Sequence, residues 1–372
     1  MLLMIFVNDA AGLQQIPNWI GHTAANVDGM GFSDVIFPAF LFIVGLSLPF
    51  ALQVRMSKKT VFSTLIYIVL RSFALIAMGF FHVNLENYNH DLSVVPYPIF
   101  TILLTISFFL IWLDYPDSLS RMMKISLVGV GVATLLGLGF LFKGGTAEKL
   151  EGLQPHWWGI LGIIGWAYLF SAITYLLTKG KLFWLVAFFL IFAIINVSSH
   201  LGILNVNLWT IGDASSITLM MGGILISTVY TRFVVKGEYF ILWMVLAFAG
   251  FFCIAFGFLI RPYAGGISKI YSTPAWVFIC MGIAILVFEL LIFVVDINQN
   301  ERYFKWIKAA GTSTLTCYLM PYLVYSIFDL VDLDFPNALN HGIGGILRSA
   351  LFAFAIVQIV RWMEKKQLRL SV

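Results

Sequence analysis

The chain has 372 residues, of which 60% are hydrophobic and 11% charged, far below the roughly 25% charged residues usual in soluble domains. That balance excludes a soluble globular protein. The mild net charge of +4 is accounted for by short loops and implies no nucleic-acid partner. What remains is an integral membrane protein, because an apolar run of about 20 residues crosses the hydrocarbon core as a helix, and such runs recur from end to end.

In chain order the runs cover 1–8, 34–54, 60–83, 97–113, 124–142, 158–178, 182–197, 216–235, 239–260, 275–296, 310–330 and 341–362. They predict an all-α, polytopic transmembrane helix bundle of about 11–12 helices in a single domain over residues 1–372. Unpaired backbone groups are costly in lipid and the period-two alternation of a barrel is absent, so helices are the economical reading. The first run, MLLMIFVNDAAG, lacks the basic region and cleavage site of a signal peptide. It is too short to span, so this helix reads as truncated, or as a half-helix resting on its neighbours.

Lysine and arginine near the helix ends alternate strictly. One set of loops holds Arg55, Lys58 and Lys59; Arg121 and Lys124; Lys179 and Lys181; Arg232 and Lys236; Arg302, Lys305 and Lys308; and the tail residues Arg361, Lys365, Lys366 and Arg369. The other set holds only Lys143, Lys149, Arg261 and Lys269. The positive-inside rule then puts both termini in the cytoplasm. His22, His82, His90, His156, His200 and His341 all fall in or beside outward-facing loops, which are the longer polar ones. Cys253, Cys280 and Cys317 lie inside predicted helices with no metal or disulfide spacing.

Ionisable residues inside spans are functional candidates because burying them is costly. Arg71, Glu289 and Arg348 are the cases here. They are read either as interhelical pairs, Arg71 or Arg348 with Glu289, or as a polar path for an anionic ligand. Arg71 lies about 16 Å down its helix from the cytoplasmic end at a rise of about 1.5 Å per residue. The outer segments KGGTAEKLEGLQPHWW (143–158) and SSHLGILNVNLWTIGD (198–213) combine Trp, Asn and His, a mix that suits sugar rings or an interfacial aromatic belt. Segment 261–276, RPYAGGISKIYSTPAW, carries two glycines for a turn, Lys269, and Pro274 where a helix can begin.

The densest polar stretch is NWIGHTAANVDGMGFSDVIFPAF (18–40), directly before a long apolar run. Together FVND (6–9), His22, Asp28-Gly29 and SDVIFPAFLFIVG (33–45) resemble the signature of the heparan-alpha-glucosaminide N-acetyltransferase family and its bacterial transmembrane acyltransferase relatives. GTSTLTCYLMPY (311–322) is similar to a later family helix, and the GISKI string with Lys269 to an outer loop. The match is good over 5–80 and patchy afterwards. A Leu-Asp-x-x-Arg-Gly stretch before the first helix is absent, SVVPYPIFTILLT stands at 93–105 without the family's charges, and an Asp-Pro-Glu-Gly motif appears only as IGDASS. His22 also stands two residues further from Asp28-Gly29 than the family pattern has it.

The resemblance implies a multi-pass protein of a bacterial cytoplasmic (inner) membrane and suggests a homodimer. It would move an acetyl group from cytoplasmic acetyl-CoA, a co-substrate, to an amino sugar or glycan acceptor on the outer face. It places the active-site histidine at His22 and the catalytic asparagine at Asn8. Asp9, Asp28, Asp34, Arg71 and Lys269 become candidate substrate-binding groups, with no metal. Imidazole can serve as base or transient acetyl carrier near neutral pH. Asn8 could orient the ring or donate to an oxyanion, and Asp34 or Asp28 could fix the tautomer. A transporter or flippase for a glycan or lipid-linked sugar is the alternative. It predicts paired repeats with interrupted helices, which the two halves do not show. A non-catalytic assembly protein would leave the polar run 8–34 unexplained.

Overall fold

The computed structural model of the protein describes residues 1–204 and 209–372. It is all-α, with thirteen α-helices among the described residues: α1 (Leu2–Ala10), α2 (Phe32–Lys58), α3 (Val61–Asn84), α4 (Tyr97–Trp112), α5 (Arg121–Leu141), α6 (Gly159–Thr178), α7 (Leu182–His200), α8 (Ser215–Lys236), α9 (Tyr239–Ile260), α10 (Pro274–Ile292), α11 (Ala309–Thr312), α12 (Thr314–Leu330) and α13 (Gly342–Lys365). Nine of them are long and apolar enough to cross a membrane, and α4 is a shorter apolar helix. The protein is therefore a multi-pass integral membrane protein.

Each predicted run finds its helix, and the local chemistry explains the ends. Ser120 caps α5 by accepting the Met123 N–H at 3.2 Å, and Pro274 opens α10, where its missing donor costs little. Gly237, at φ 72°, closes α8 in the left-handed conformation. The run 310–330 departs from expectation: it breaks at Ser313 into α11 and α12, and α10 loosens into a π-helical turn over Phe293–Ile297.

The chain divides into two compact units, Met1–Ile16 with Ala74–Ile163 and Tyr303–Val372, and Pro17–Phe73 with Ile164–Arg302. In the first, α1 packs on α12 and α13 while α4 lies between α5 and α12. Ile5, Cys317, Met320, Ile356, Val357 and Val360 form its core. In the second, α2 packs on α8, α10 on α9 and α2, and α7 on α8.

Loops assigned to one face by the charge alternation meet one another within each unit. In the first unit the tail residue Arg369 bonds Asp114 at 3.0 Å, both on the positively charged face, and Gln14 bridges to His341 on the other. In the second unit Asp28 meets Arg261.

The α2–α8 crossing is backbone on backbone. A Cβ on Gly45 would lie 2.0 Å from the Met220 carbonyl oxygen, and one on Gly223 2.0 Å from that of Phe42. Small residues substitute here for the hydrophobic drive that lipid does not supply. Gly223→Val should therefore destabilise the protein by about 3 kcal/mol, the upper end of the overpacking range, and a matching fall in thermal midpoint in detergent would register it.

Candidate active site

The loop 17–31 folds back onto the start of α2. Phe32 donates its N–H to the Trp19 carbonyl at 2.7 Å, and the Ser33 hydroxyl donates to the Ile20 carbonyl at 2.6 Å. This brings Asp34, the third residue of α2, under the loop that carries His22. Asp34 is 1% exposed, and its carboxylate is fully engaged. Oδ2 accepts hydrogen bonds from the N–H groups of Gly31 at 2.9 Å and Thr23 at 3.0 Å, and Oδ1 accepts one from His22 Nδ1 at 2.7 Å. Its position in the first turn of α2 also places its charge at the favourable end of the helix dipole. Trp276 on α10 donates its indole N–H to the Asp34 carbonyl at 3.0 Å, pinning the turn from behind.

The consequence is a fixed tautomer. A carboxylate can only accept, so the bond at Nδ1 requires the proton there and leaves the Nε2 lone pair free to take a proton from a substrate. The ring is partly open, its side chain 34% exposed. Of the two aspartates open at sequence level as the orienting group, Asp34 does the orienting.

Asp28 does something else. It accepts from Arg261 Nε at 2.9 Å and from the Ile267 N–H at 2.6 Å, while Gly29 donates to the Ile267 carbonyl at 3.0 Å. Gly266 stands at φ 73°, and a Cβ there would lie 2.8 Å from the Asp28 carboxyl carbon, so only glycine lets the two loops close. The Ile267 N–H, and then Arg261, hold the Asp28 carboxyl below its ordinary value against the opposing effect of burial. With the folded value depressed, the tether contributes above the unfolded carboxylate pKa of about 4 and is lost as pH falls through the folded value. Acidification, or Arg261→Gln at neutral pH, should lower the amide protection factors of Gly29 and Ile267 while leaving those of α10 unchanged, as read by hydrogen–deuterium exchange corrected for the intrinsic rate at each pH.

The tether delivers Lys269. Its Nζ lies 3.2 Å from His22 Nδ1 and 4.0 Å from Asp34 Oδ1. Nδ1 carries the hydrogen it donates to Asp34 and has no lone pair to accept an ammonium hydrogen, so Lys269 acts on this group through its charge. Burial pulls the Lys269 ammonium below its ordinary value, and Asp34 opposes that shift.

Arg71 on α3 donates to the Tyr67 hydroxyl at 3.1 Å and lies 5.2 Å over the Tyr168 ring. Arg55 stacks on the other side of the same system, 4.1 Å over the Tyr67 ring. Sequence reading placed Arg55 among the loop cations and missed this. The signal available was the spacing of Tyr67 and Arg71, which puts both on one face of α3.

Asn8 and Asp9 belong to the first unit, His22 to the second. Asn8 lines a cavity of about 270 Å³ with Met4, Tyr318, Tyr322 and Tyr325, and its amide makes no hydrogen bond to the described residues. Asp9 is occupied: Tyr325 donates to it at 2.6 Å, Arg348 at 3.0 Å and Ser349 at 2.5 Å. Arg348 therefore pairs with Asp9, not with Glu289 as the sequence suggested, because α1 packs directly on α13. Glu289 is buried in α10.

His82 stands in the last turn of α3, beside the outward-facing loop, and its side chain is buried in the first unit. It packs between Phe108, Tyr318 and Tyr322, with both ring nitrogens buried and unpartnered. His200 in the second unit sits between the carbonyls of Asn196 at 3.0 Å and Tyr271 at 2.9 Å. Of the segment 198–213 singled out for sugar contacts, residues 205–208 lie outside the described residues. In 143–158, Trp157 donates to Glu86 at 3.1 Å.

A family model described as "Domain of unknown function (DUF5009)" matches residues 7–222, more than half of the chain. The chain belongs to the DUF5009 family. The DUF5009 match takes in Asn8, Asp9, His22, Asp28, Asp34 and Arg71, and it ends before Arg261, Lys269 and the tyrosines of α12. Comparison with curated proteins gave no match. The His22–Asp34 pair thus lies wholly inside the DUF5009 region, while the lysine set against it comes from beyond.

Proposed function

We propose that this DUF5009 protein is a transmembrane acetyltransferase. It would move an acetyl group from cytoplasmic acetyl-CoA to an amino sugar or glycan at the outer face of the membrane. The observation that carries the reading is the His22–Asp34 pair, a buried carboxylate fixing a half-exposed imidazole so that Nε2 is the basic atom, in a loop that the charge alternation assigns to the outer face.

The chemistry follows from that atom. Nε2 takes the proton of the acceptor amine or hydroxyl as its nitrogen or oxygen attacks the thioester carbonyl. The tetrahedral species collapses with loss of the coenzyme A thiolate, which receives the proton back. Asp34 offsets the positive charge that the ring carries between the two proton transfers, a role worth several kcal/mol where water is excluded. Asn8 presents a free amide to the cavity of its own unit, and Asn8→Ala tests its part separately.

Arg71 and Arg55, held against tyrosines on the cytoplasmic half of α2 and α3, suit the anionic donor. Arg71→Ala is expected to raise KM for acetyl-CoA about tenfold with kcat little changed, the signature of lost ground-state binding. Proteoliposomes supplied with acetyl-CoA on one side and glucosamine-ended glycans on the other would show donor consumption coupled to acetylation. No consumption with any acceptor would favour the transport reading.

A further inference from the structure

A second cavity, of about 790 Å³, lies in the second unit where α2 and α8 end and α7 begins, and Lys181 and Arg232 line it with Gln53, Thr228 and Thr231. The charge alternation assigns this end to the cytoplasm, with Lys181 directly before the first residue of α7 and Arg232 in the last turns of α8. Among the described residues no carboxylate pairs with either cation. Two unneutralised charges facing one cavity at the membrane boundary call for an anion.

The remaining lining narrows its chemistry. The Thr228 and Thr231 hydroxyls donate to carbonyls of their own helix at 2.8 and 2.9 Å, so their oxygens remain to accept. Gln53 donates its amide to the Tyr175 hydroxyl at 2.9 Å, which leaves its carbonyl oxygen to accept as well. A phosphate offers only acceptors and would satisfy the two cations. The threonine and glutamine oxygens need donors, such as the hydroxyls of a polyol headgroup. Leu182, Phe183 and Val186 supply an apolar part of the lining, and Phe183 is 75% exposed. A soluble anion gains nothing from that part, whereas the glycerol and upper acyl chain of a lipid bury it.

We propose that this cavity holds the headgroup of an anionic phospholipid of the cytoplasmic leaflet, with Lys181 and Arg232 on its phosphate and the Thr228, Thr231 and Gln53 oxygens on its headgroup hydroxyls. The site is independent of the acyl-transfer reading and would stand if that reading fell.

The test uses the full chain in dodecyl maltoside micelles doped with phosphatidylglycerol or with phosphatidylethanolamine, with bound lipid counted by native mass spectrometry. Phosphatidylglycerol should be retained and phosphatidylethanolamine lost. The Lys181→Gln/Arg232→Gln double variant should bind phosphatidylglycerol about thirtyfold more weakly, at the contribution of each basic residue near a charged lipid surface. Val186→Trp keeps both charges but fills the cavity, and it should weaken binding comparably. Lys305→Gln/Lys308→Gln removes charge from the same face away from the cavity and should leave retention unchanged. Wild-type retention by the double variant would overturn the proposal, as would equal weakening in the Lys305/Lys308 control. Displacement of the lipid by inorganic phosphate or coenzyme A would also overturn it, by showing that the occupant is a soluble phosphate.

Discussion

His22→Ala is expected to lower acetyl transfer by about a thousandfold, within the range that a positioned general base contributes, while the protein stays folded. The fold should survive because the imidazole is partly exposed and its removal leaves Asp34 Oδ2 still accepting the Gly31 and Thr23 N–H groups. The two effects separate cleanly: turnover in proteoliposomes collapses and the thermal midpoint in detergent moves little. Added imidazole should restore part of the activity, because the space vacated by the ring lies beside an intact carboxylate. Undiminished turnover in the alanine variant would sink the assignment of His22 and with it the acetyltransferase reading.

Asp34→Asn is expected to be as damaging to turnover as loss of His22, and more damaging to stability. The wild-type carboxylate accepts from three N–H donors: His22 Nδ1, Thr23 and Gly31. An asparagine amide has one accepting oxygen and one NH₂. With its oxygen towards His22, the NH₂ faces the Thr23 and Gly31 donors and their bonds are lost. With its oxygen towards the backbone, the NH₂ donates to Nδ1 and drives the proton to Nε2, which abolishes the base. The second orientation keeps two backbone hydrogen bonds against one to the ring and is the favoured one, so turnover should fall by about 10²–10⁴-fold on the precedent of wrong-tautomer variants in triad enzymes. Breaking buried hydrogen bonds to a charged group should also cost about 1.5–3 kcal/mol. Asp34→Glu, which keeps the charge but displaces it by a methylene, should recover stability more than turnover. An active Asp34→Asn enzyme would show that the carboxylate's charge is dispensable and that the amide turns its oxygen to the ring.

Much of this architecture can be read from the residues, and the reason is the solvent. A lipid-spanning segment must satisfy every backbone group internally and stay apolar over about 20 residues, so hydropathy alone locates the spans. The same pressure makes each in-span charge conspicuous, as with Arg71, Glu289 and Arg348. The break at Ser313 falls in the polar string GTST (311–314), and the π-helical turn after Ile292 stands where the apolar run gives way to DINQNE (296–301); hydropathy shows where each run weakens but not how its backbone bonds are re-paired. Arg348 shows the limit of counting charges: its need for a partner is evident, but the choice of Asp9 follows from α1 lying against α13.

The sequence by itself determined the all-helical membrane class, the alternation of faces, and His22 as the residue to watch, because composition and charge position are local properties of a chain. Tertiary structure alone decided what stands around that histidine. Asp34 and Asp28 are equally plausible partners by spacing, and only the fold-back of the 17–31 loop onto α2 gives Asp34 the ring and sends Asp28 to Arg261. Lys269, 247 residues away from His22, reaches the imidazole because Gly266 lacks a side chain and lets its loop close on Asp28. Those are contacts between segments remote in sequence, set by which backbones can approach closely.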